Sequence, residues 1–182
     1  MIDNMESKEL NIIINELCRT SGCISDAQIH HLIHQIRSHT RIFVHAAGRS
    51  GLMLRAFAMR LMQMGLQSFV VGETTTPAIR SDDLLFLASA SGTTRSVCEY
   101  AEYARKNSID TVVITANGNS PLCTFLEPTV LICAGSKIST LDSSIQPMGS
   151  LFEQMLLLFL DATILCMDSG TEEMNARHAN LE

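Results

Sequence analysis

The sequence is poor in basic residues, and this excludes one broad class of function. It has 13 lysines and arginines against 19 aspartates and glutamates in 182 residues, so its formal net charge is −6. Proteins that bind nucleic acid over a wide surface need a basic footprint for the phosphate backbone. We therefore expect no nucleic-acid partner. An anionic small molecule would have to be held by local donors, because the overall field repels it.

The chain also lacks an apolar run of membrane-spanning length. Its most apolar segment, residues 155–167, contains Asp161 and is 13 residues long, whereas a membrane helix needs roughly 20 residues. The N-terminal segment MIDNMESKEL is acidic and polar, unlike a secretory signal. The sequence thus predicts a cytoplasmic protein without membrane contact.

The six cysteines form no C-x-x-C pair, so the usual sign of a redox or zinc motif is missing. They are scattered, mostly within apolar segments, which predicts buried, reduced thiols. His30 and His34 have the i, i+4 spacing of a zinc site, but no nearby carboxylate or cysteine completes the ligand set. Asp26 before them is expected to cap its helix. We expect no bound metal.

Tryptophan is absent and only 18% of the residues are charged, whereas 46% are apolar and ten are methionine. This composition indicates a large surface that is buried or covered by another subunit. Methionine fills irregular apolar contacts well, including those between subunits. The composition therefore favours a homo-oligomer.

Two kinds of apolar segment alternate along the chain. Continuous apolar runs predict five strands, at residues 41–47, 67–72, 83–89, 110–116 and 129–134. Segments with helical spacing occupy 10–18, 26–38, 51–65, about 93–107, 120–126, 147–169 and 171–177. Strands that are apolar throughout and alternate with helices indicate a parallel sheet covered on both faces.

This pattern predicts an α/β fold of the flavodoxin or Rossmann-like kind, a three-layer αβα sandwich around a five-stranded parallel sheet. We expect one domain over residues 1–182. N-terminal helices fill 1–40, the sheet core spans 41–134, and a long helix, C-terminal helices and a tail fill 147–182. In such folds, ligands bind beyond the carboxyl ends of the strands.

Four hydroxyls in six residues follow the third predicted strand. The segment SASGTT, residues 89–94, carries them on Ser89, Ser91, Thr93 and Thr94. Gly92 allows close approach of the backbone. Because a helix begins here, its first amides lack helical partners. Hydroxyls, amides and the positive helix end together make an anion site. The alternative is simple helix capping, for which one hydroxyl suffices.

A similar turn, AAGRSG, follows the first strand at residues 46–51. Gly48 and Gly51 permit a tight turn, Ser50 adds a donor, and Arg49 can make a bidentate contact to an oxyanion. The segment is neither a dinucleotide fingerprint, because G-x-G-x-x-G is missing, nor a P-loop, because no G-K-[ST] follows. The alternative is a surface arginine on an ordinary loop.

Five segments together resemble the 6-phospho-3-hexuloisomerase family, part of the sugar isomerase (SIS) domain superfamily. They are AGRSG, VVGETTTPAI, SASGTT, QPMGSLFE and RHANLE. The resemblance covers roughly residues 40–182. The serine-rich turn alone indicates only the superfamily, whereas PMGSLFE and RHANLE separate this family from other sugar isomerases.

The resemblance implies an SIS fold and an isomerase that interconverts D-arabino-3-hexulose 6-phosphate and D-fructose 6-phosphate. The reaction passes through a cis-enediol and uses no metal or nucleotide cofactor. The family's phosphate-binding positions match Ser50, Ser89, Ser91 and Thr94. A homotetramer and a place in the ribulose monophosphate pathway, in either direction, are also implied.

Two further residues match the family's catalytic positions. Glu153 matches the proposed base, and apolar surroundings would strengthen it as a base. Its alternative is a solvated helix-start glutamate favoured by the macrodipole. His178 matches a tail histidine that in related isomerases reaches a neighbouring subunit's site. It could move protons between the enediol oxygens or assist ring opening, and its alternative is an exposed tail residue. Arg49 would steady either the enediolate or the phosphate.

The serine turn departs from the family's usual S-G-S-G-E-T pattern. Ala90 replaces the glycine and Thr93 the glutamate, which bears on substrate preference more than on phosphate binding. Two other functions therefore stay open: another phosphosugar isomerase of the aldose–ketose kind, and a non-catalytic sugar-phosphate-binding protein. The latter needs neither a base nor a tail histidine. Glu73 either contacts sugar hydroxyls or is a plain loop carboxylate.

Overall fold

Five parallel strands form the centre of the computed structural model, which describes residues 7–134, 144–167 and 170–180. They are β1 (Arg41–His45), β2 (Gln67–Val70), β3 (Leu84–Ser89), β4 (Asp110–Thr115) and β5 (Val130–Leu131). Their order in the sheet is β2-β1-β3-β4-β5, and every neighbouring pair is parallel. The predicted five-stranded parallel sheet is confirmed.

Helices cover both faces of this sheet. They are α1 (Lys8–Ser21), α2 (Asp26–Ser38), α3 (Gly48–Gln63), α4 (Arg95–Lys106), α5 (Pro121–Phe125), α6 (Ser150–Cys166) and α7 (Thr171–Ala176). α2, α3 and α6 bury their apolar side chains on one face, and α4 and α5 do so on the other. α1 packs against α6. The predicted αβα sandwich is confirmed.

The alternation of side chains along each strand explains why the strands are apolar throughout. In β1, Ile42 and Val44 belong to the core under α2, α3 and α6, whereas Phe43 between them belongs to the core under α4. Successive strand residues point to opposite faces, so the middle of a strand that is covered on both sides is apolar at every position. Burying each large apolar side chain contributes about 1.5–3 kcal/mol.

Several predicted boundaries move once backbone geometry is known. α3 begins at Gly48, not at Gly51, so Ser50 and Gly51 lie in its first turn. α4 begins at Arg95, because the hydroxyl-rich segment occupies a turn of its own. β5 is limited to Val130–Leu131, although Ile132 N still donates to the carbonyl oxygen of Thr115 at 2.9 Å.

The predicted long helix 147–169 is shorter at both described ends. α6 begins at Ser150, since Pro147 to Gly149 form a turn in which Met148 has a φ of 59°. It ends at Cys166, and residues 168–169 lie outside the described part of the chain. No helix among the described residues is long and apolar enough to cross a membrane.

Two predictions about individual residues were wrong. The cap of α2 is Ser25, which forms a capping box with Gln28, and Asp26 is the first helical residue. The cysteines are all reduced but none is buried: Cys18, Cys133 and Cys166 are exposed, and the other three are partly exposed. Cysteines in apolar helices and strands can occupy the outer face, which composition alone does not show.

The turn from β1 into α3 yields a stability prediction. A Cβ at Gly51 would overlap the carbonyl oxygen of Ala46, whereas one at Gly48, where φ is 59°, would meet open space. We expect Gly51→Ala to lower the free energy of unfolding by about 3 kcal/mol, because backbone must move. Gly48→Ala should cost about 1 kcal/mol from its backbone conformation. Urea denaturation of both variants checks this, and equal losses would contradict it.

Candidate active site

The two turns singled out in the sequence lie side by side at the carboxyl edge of the sheet. β1 and β3 are neighbours, and His45 at the end of β1 pairs with Leu87 near the end of β3. Segments 46–51 and 89–94 therefore leave the sheet at the same edge. In open α/β sheets, this edge is where ligands bind.

Bonds among its own hydroxyls and amides fold the segment 89–94. Ser89 Oγ accepts from the amide of Gly92 at 3.1 Å and lies 2.9 Å from Thr94 Oγ1. Ser91 Oγ accepts from the amide of Thr93 at 3.2 Å and lies 2.8 Å from Thr93 Oγ1. Ser89 is buried, whereas Ser91 and Thr94 are partly exposed. Ser89 thus holds the turn together, and Ser91 and Thr94 can present hydroxyls to a ligand.

The loop between β4 and α5 fixes this turn from outside. Gly92 has a φ of 63°, and a Cβ there would overlap the side chain of Ser120. The carbonyl oxygen of Gly92 accepts from the amide of Leu122 at 3.0 Å. Asn117 Nδ2 donates to the carbonyl oxygen of Ser91 at 3.4 Å. The turn is therefore a rigid element, and only glycine suits position 92.

The amino end of α4 adds backbone donors next to these hydroxyls. Thr94 is the N-cap residue, and its side chain makes no capping bond to the first turn. The first amides of a helix have no partner within it, and they lie at its positive end. Together with the hydroxyls, they form a local environment that favours an anion. No basic side chain is needed for this.

Arg49 and Glu153 meet although 104 residues separate them. Arg49 Nε donates to Glu153 Oε2 at 2.5 Å, which joins the first turn of α3 to the first turn of α6. The Glu153 side chain is 14% exposed and the Arg49 side chain 63%. The carboxylate is thus shielded and paired, and the guanidinium reaches the surface of the site.

Gly149 links this ion pair to the serine turn. A Cβ at Gly149 would lie 3.7 Å from Glu153 Oε1 and 3.9 Å from the Cβ of Ala90. The backbone before α6 is therefore enclosed between the carboxylate and the turn 89–94. The residue that departs from the family pattern, Ala90, faces this backbone.

The structure brings together all but one of the predicted site residues. Arg49, Ser50, Ser89, Ser91, Thr94 and Glu153 all lie on segments at the carboxyl edge. Ser50 is 8% exposed, in the first turn of α3 beneath Arg49. A single small polar site can thus take contributions from α3, the serine turn and α6.

His178 is the predicted site residue that lies away from the others within one chain. Its neighbour Arg177 donates through Nη1 to the carbonyl oxygen of Gln63 at 3.2 Å, which ties the tail to the far end of α3. From Arg49 to Gln63, a helix rises about 21 Å. His178 is exposed, and its Nδ1 lies 3.0 Å from the carbonyl oxygen of Ala179. It lies at the opposite edge of the sheet from Glu153. Residues 181–182 of the tail motif lie outside the described part of the chain.

His45 is a site-edge residue that the sequence analysis missed. Its Nε2 lies 3.1 Å from Ser96 Oγ on α4, and its ring meets Tyr100 edge-on at 4.6 Å. Burial lowers the pKa of His45, so its imidazole is neutral at pH 7. The sequence feature that could have identified His45 is its position as the last residue of a strand that leads into a candidate turn.

The structure also bears on the role of Glu73 and on a possible metal site. Glu73 Oε1 lies 3.4 Å from Arg55 Nη1 in an exposed ion pair, which agrees with its plain reading as a loop carboxylate. In the ranges 7–134, 144–167 and 170–180, no three histidine, cysteine, aspartate or glutamate side chains are grouped as metal ligands.

Comparison with known proteins identifies the family. The SIS domain model matches residues 35–159. The 3-hexulose-6-phosphate isomerase of Mycobacterium gastri is 41% identical over 181 residues, which cover 97% of this chain and 91% of that protein. The chain belongs to the 3-hexulose-6-phosphate isomerase family of SIS-domain proteins. The Bacillus subtilis isomerase of the same name is 40% identical over 176 residues, 93% of this chain and 95% of that protein.

A solved structure agrees with this family. A protein from Methanococcus jannaschii, for which the function of 3-hexulose-6-phosphate isomerase was inferred, is 34% identical with a TM-score of 0.81. The match covers 96% of this chain and 99% of that one. The SIS fold and the family resemblance expected from the sequence are confirmed.

The serine turn generates a binding prediction. We expect Ser91→Ala to weaken binding of inorganic phosphate about 10- to 100-fold, because a hydrogen bond to a charged group contributes about 1.5–3 kcal/mol. Ser91 is a better choice than Ser89, since Ser91 is partly exposed to a ligand whereas Ser89 is buried. Isothermal titration calorimetry measures the affinity. Ser38→Ala, an exposed hydroxyl before β1 at the other edge, is the control, and equal affinity in both variants would contradict the prediction.

Proposed function

We propose that this chain is a 3-hexulose-6-phosphate isomerase that interconverts D-arabino-3-hexulose 6-phosphate and D-fructose 6-phosphate. The observation that carries the proposal is 40–41% identity, over nearly the whole chain, to two proteins of that name. The site supports it, because the paired carboxylate of Glu153 lies beside an anion-binding turn.

The phosphate of the substrate binds at the segment 89–94. Ser91 and Thr94 present partly exposed hydroxyls, and the first amides of α4 point to the same place. Ser89 keeps the turn folded, and Ser50 contributes from the first turn of α3. Binding the phosphate there leaves the carbon chain to extend along the edge of the sheet towards Glu153.

Glu153 is the base. It removes the proton from C3 of open-chain fructose 6-phosphate, and the electron pair of that C–H bond forms the C2=C3 double bond of a cis-enediolate. The C2 carbonyl oxygen takes the negative charge. The O3 proton moves to the charged oxygen on C2, the same carboxyl returns its proton to C2, and the C3 carbonyl forms. General base catalysis of this kind contributes about 10²- to 10⁴-fold.

Arg49 has a second role beside its contact with Glu153. One guanidinium nitrogen, Nε, donates to the carboxylate, and the other nitrogens of the same group carry four more N–H bonds in a rigid fork. A guanidinium so placed stabilises the negative charge that develops on the enediolate oxygen. The geometry thus favours the enediolate over the phosphate as the partner of Arg49.

His178 acts on the site of another copy of the chain. In its own chain it lies at the opposite edge from Glu153, since Arg177 is bound to Gln63. A role in proton transfer between the enediol oxygens therefore requires a second subunit. The active unit is then a homo-oligomer, and we expect the homotetramer that the family resemblance implies.

Exposed apolar side chains support assembly. Leu52, Met59 and Met62 on α3 are 57%, 46% and 41% exposed, and Leu158 and Leu165 on α6 are 46% and 81% exposed. The exposed residues of α3 are three, seven and ten positions apart and those of α6 are seven apart, so each set forms one stripe along its helix. α3 and α6 pack against each other, and a second copy could cover both stripes. A cytoplasmic location remains a prediction from the sequence.

Deuterium exchange tests the reaction and its base. We expect wild-type protein in D₂O with fructose 6-phosphate to put deuterium on C3 and to form 3-hexulose 6-phosphate, as followed by NMR. Glu153→Gln should slow the exchange by about 10²- to 10⁴-fold, because the amide cannot accept the proton. Glu99→Gln, an exposed carboxylate paired with Arg95 on α4, is the control and should retain full activity.

Other exchange patterns would overturn the proposal. Deuterium at C1 would indicate an aldose–ketose isomerase on the same fold. Binding of fructose 6-phosphate without any exchange would indicate a non-catalytic sugar-phosphate-binding protein. Full exchange in Glu153→Gln would remove Glu153 as the base while leaving the reaction in place.

Mixing two inactive variants tests whether His178 acts on another subunit. We expect Glu153→Gln and His178→Ala to be inactive alone. After they are unfolded and refolded together, some sites combine an intact Glu153 with an intact His178 from another subunit, and about a quarter of wild-type activity should return. No recovery, with hybrid oligomers shown by native mass spectrometry, would place both residues in one subunit's site.

A further inference from the structure

Glu16 on α1 is a buried carboxylate that binds three donors of one distant segment. The residue is 5% exposed. Its Oε2 accepts from Ser144 Oγ at 2.7 Å and from Gln146 Nε2 at 2.9 Å. Its Oε1 accepts from the backbone amide of Ile145 at 2.9 Å. One side chain thus fixes three consecutive residues, two through their side chains and one through its backbone.

These bonds keep Glu16 charged. Burial raises its pKa, but the bonds from Ser144, Gln146 and the Ile145 amide, together with the charge of Arg19, outweigh that effect and hold the pKa below the ordinary value of 4.5. The carboxylate is therefore ionised at neutral pH. Hydrogen bonds to an ionised acceptor are shorter and stronger than those between neutral groups. An apolar residue could pack in this place, but it could not bind the segment.

The segment 144–146 leads directly into the turn before α6. Pro147 O accepts from the amide of Ser150 at 3.2 Å and from Ser150 Oγ at 2.7 Å. Met148 has a φ of 59°, a conformation that non-glycine residues adopt only when their surroundings impose it. Gly149 O then accepts from the amide of Glu153 at 3.0 Å. From Glu16 to Glu153, every step is a defined contact.

The end of this chain of contacts is the catalytic carboxylate itself. A Cβ at Gly149 would lie in van der Waals contact with both Glu153 Oε1 and the Cβ of Ala90, so the backbone here passes close to both. A shift of the backbone at 149 would therefore move the carboxylate relative to the serine turn.

We propose that Glu16 is a positioning residue for Glu153. It fixes residues 144–146, and through the turn at 147–149 it sets the distance between the Glu153 carboxylate and the phosphate-binding turn. The inference rests on the proposed function, in which Glu153 is the base. It assigns a role in catalysis to a helix outside the sheet layers, which contributes no residue to the site.

Two substitutions and a control on the same helix test the proposal. In Glu16→Ala all three bonds are lost, and in Glu16→Gln the shape stays while the charge goes. We expect kcat to fall about 10- to 100-fold in Glu16→Ala and less in Glu16→Gln, because a displacement of about 1 Å can cost 100-fold. KM for fructose 6-phosphate should change less than about threefold, since the serine turn is held by β3 and the loop after β4.

Leu17→Ala separates positioning from stability. Leu17 lies next to Glu16 on α1, where it packs against the core under α6. Its loss lowers the melting temperature without touching residues 144–146, so kcat per folded molecule should be unchanged. All variants are assayed at a temperature where circular dichroism shows them folded. Glu16 variants that keep wild-type kcat, that raise KM in step with the loss, or that match Leu17→Ala would overturn the proposal.

Hydrogen–deuterium exchange gives a readout that does not depend on activity. Peptides covering residues 144–153 should exchange faster in Glu16→Ala than in wild type or Leu17→Ala, while those of β3 stay protected. If wild-type protein shows no isomerase activity, the proposed function fails. The exchange data then still decide whether Glu16 fixes the position of residue 153, and unchanged protection would overturn that role.

Discussion

The parallel pairing of β1 with β3 is the constraint on which the site depends. Parallel neighbours send their chains out at the same edge, so the turns at 46–51 and 89–94 become adjacent without any contact of their own. The register, with Val44 opposite Phe86 and His45 opposite Leu87, is fixed by the two cores. A slip of one residue would turn Ile42 and Val44 to the wrong face. Burial of the apolar residues of β1 and β3 therefore sets the relative position of the two polar turns that follow these strands.

The same arrangement explains how an acidic chain can hold a phosphorylated substrate. The net charge of −6 acts over the whole surface and is screened by salt beyond about 10 Å. Hydroxyls and helix amides act at contact distance, where screening has little effect. The turn at 89–94 is preorganised by Ser89, Gly92 and the loop after β4, so its donors need no rearrangement to meet an anion. Local geometry thus outweighs the sign of the total charge.

Much of the fold could be predicted from the sequence because it depends on local patterns. Apolar runs gave the five strands, and hydroxyl-rich and glycine-rich turns after two of them located the site. The exposure of single residues was harder to predict, since none of the six cysteines proved to be buried. β5 was overestimated because Ile132 and Ala134 are buried without being paired as strand residues.

Contacts between distant segments could not be predicted. Arg49 and Glu153 were both candidates, but 104 residues separate them, and no local pattern states that they form a pair. Glu16 looked like an ordinary polar residue on an amphipathic helix, and its partners are 128–130 residues away. His45 was overlooked because a single histidine in an apolar strand has no motif. In each case the missing information was tertiary packing, which a single sequence does not display.

The position of the C-terminal tail determines which site His178 can reach. One chain holds the proposed base and the proposed phosphate-binding turn at the carboxyl edge. Its Arg177, next to His178, is bound to Gln63 at the other end of α3, about 21 Å from Arg49. Moving the tail to its own site would break the bond between Arg177 and Gln63 and would leave α7 without its support. A neighbouring copy can bring its own His178 to the site while its Arg177–Gln63 bond and the packing of its α7 stay intact. The proposed role of His178 thus requires an active site shared between subunits, and the exposed apolar stripes on α3 and α6 offer a surface for such a neighbour.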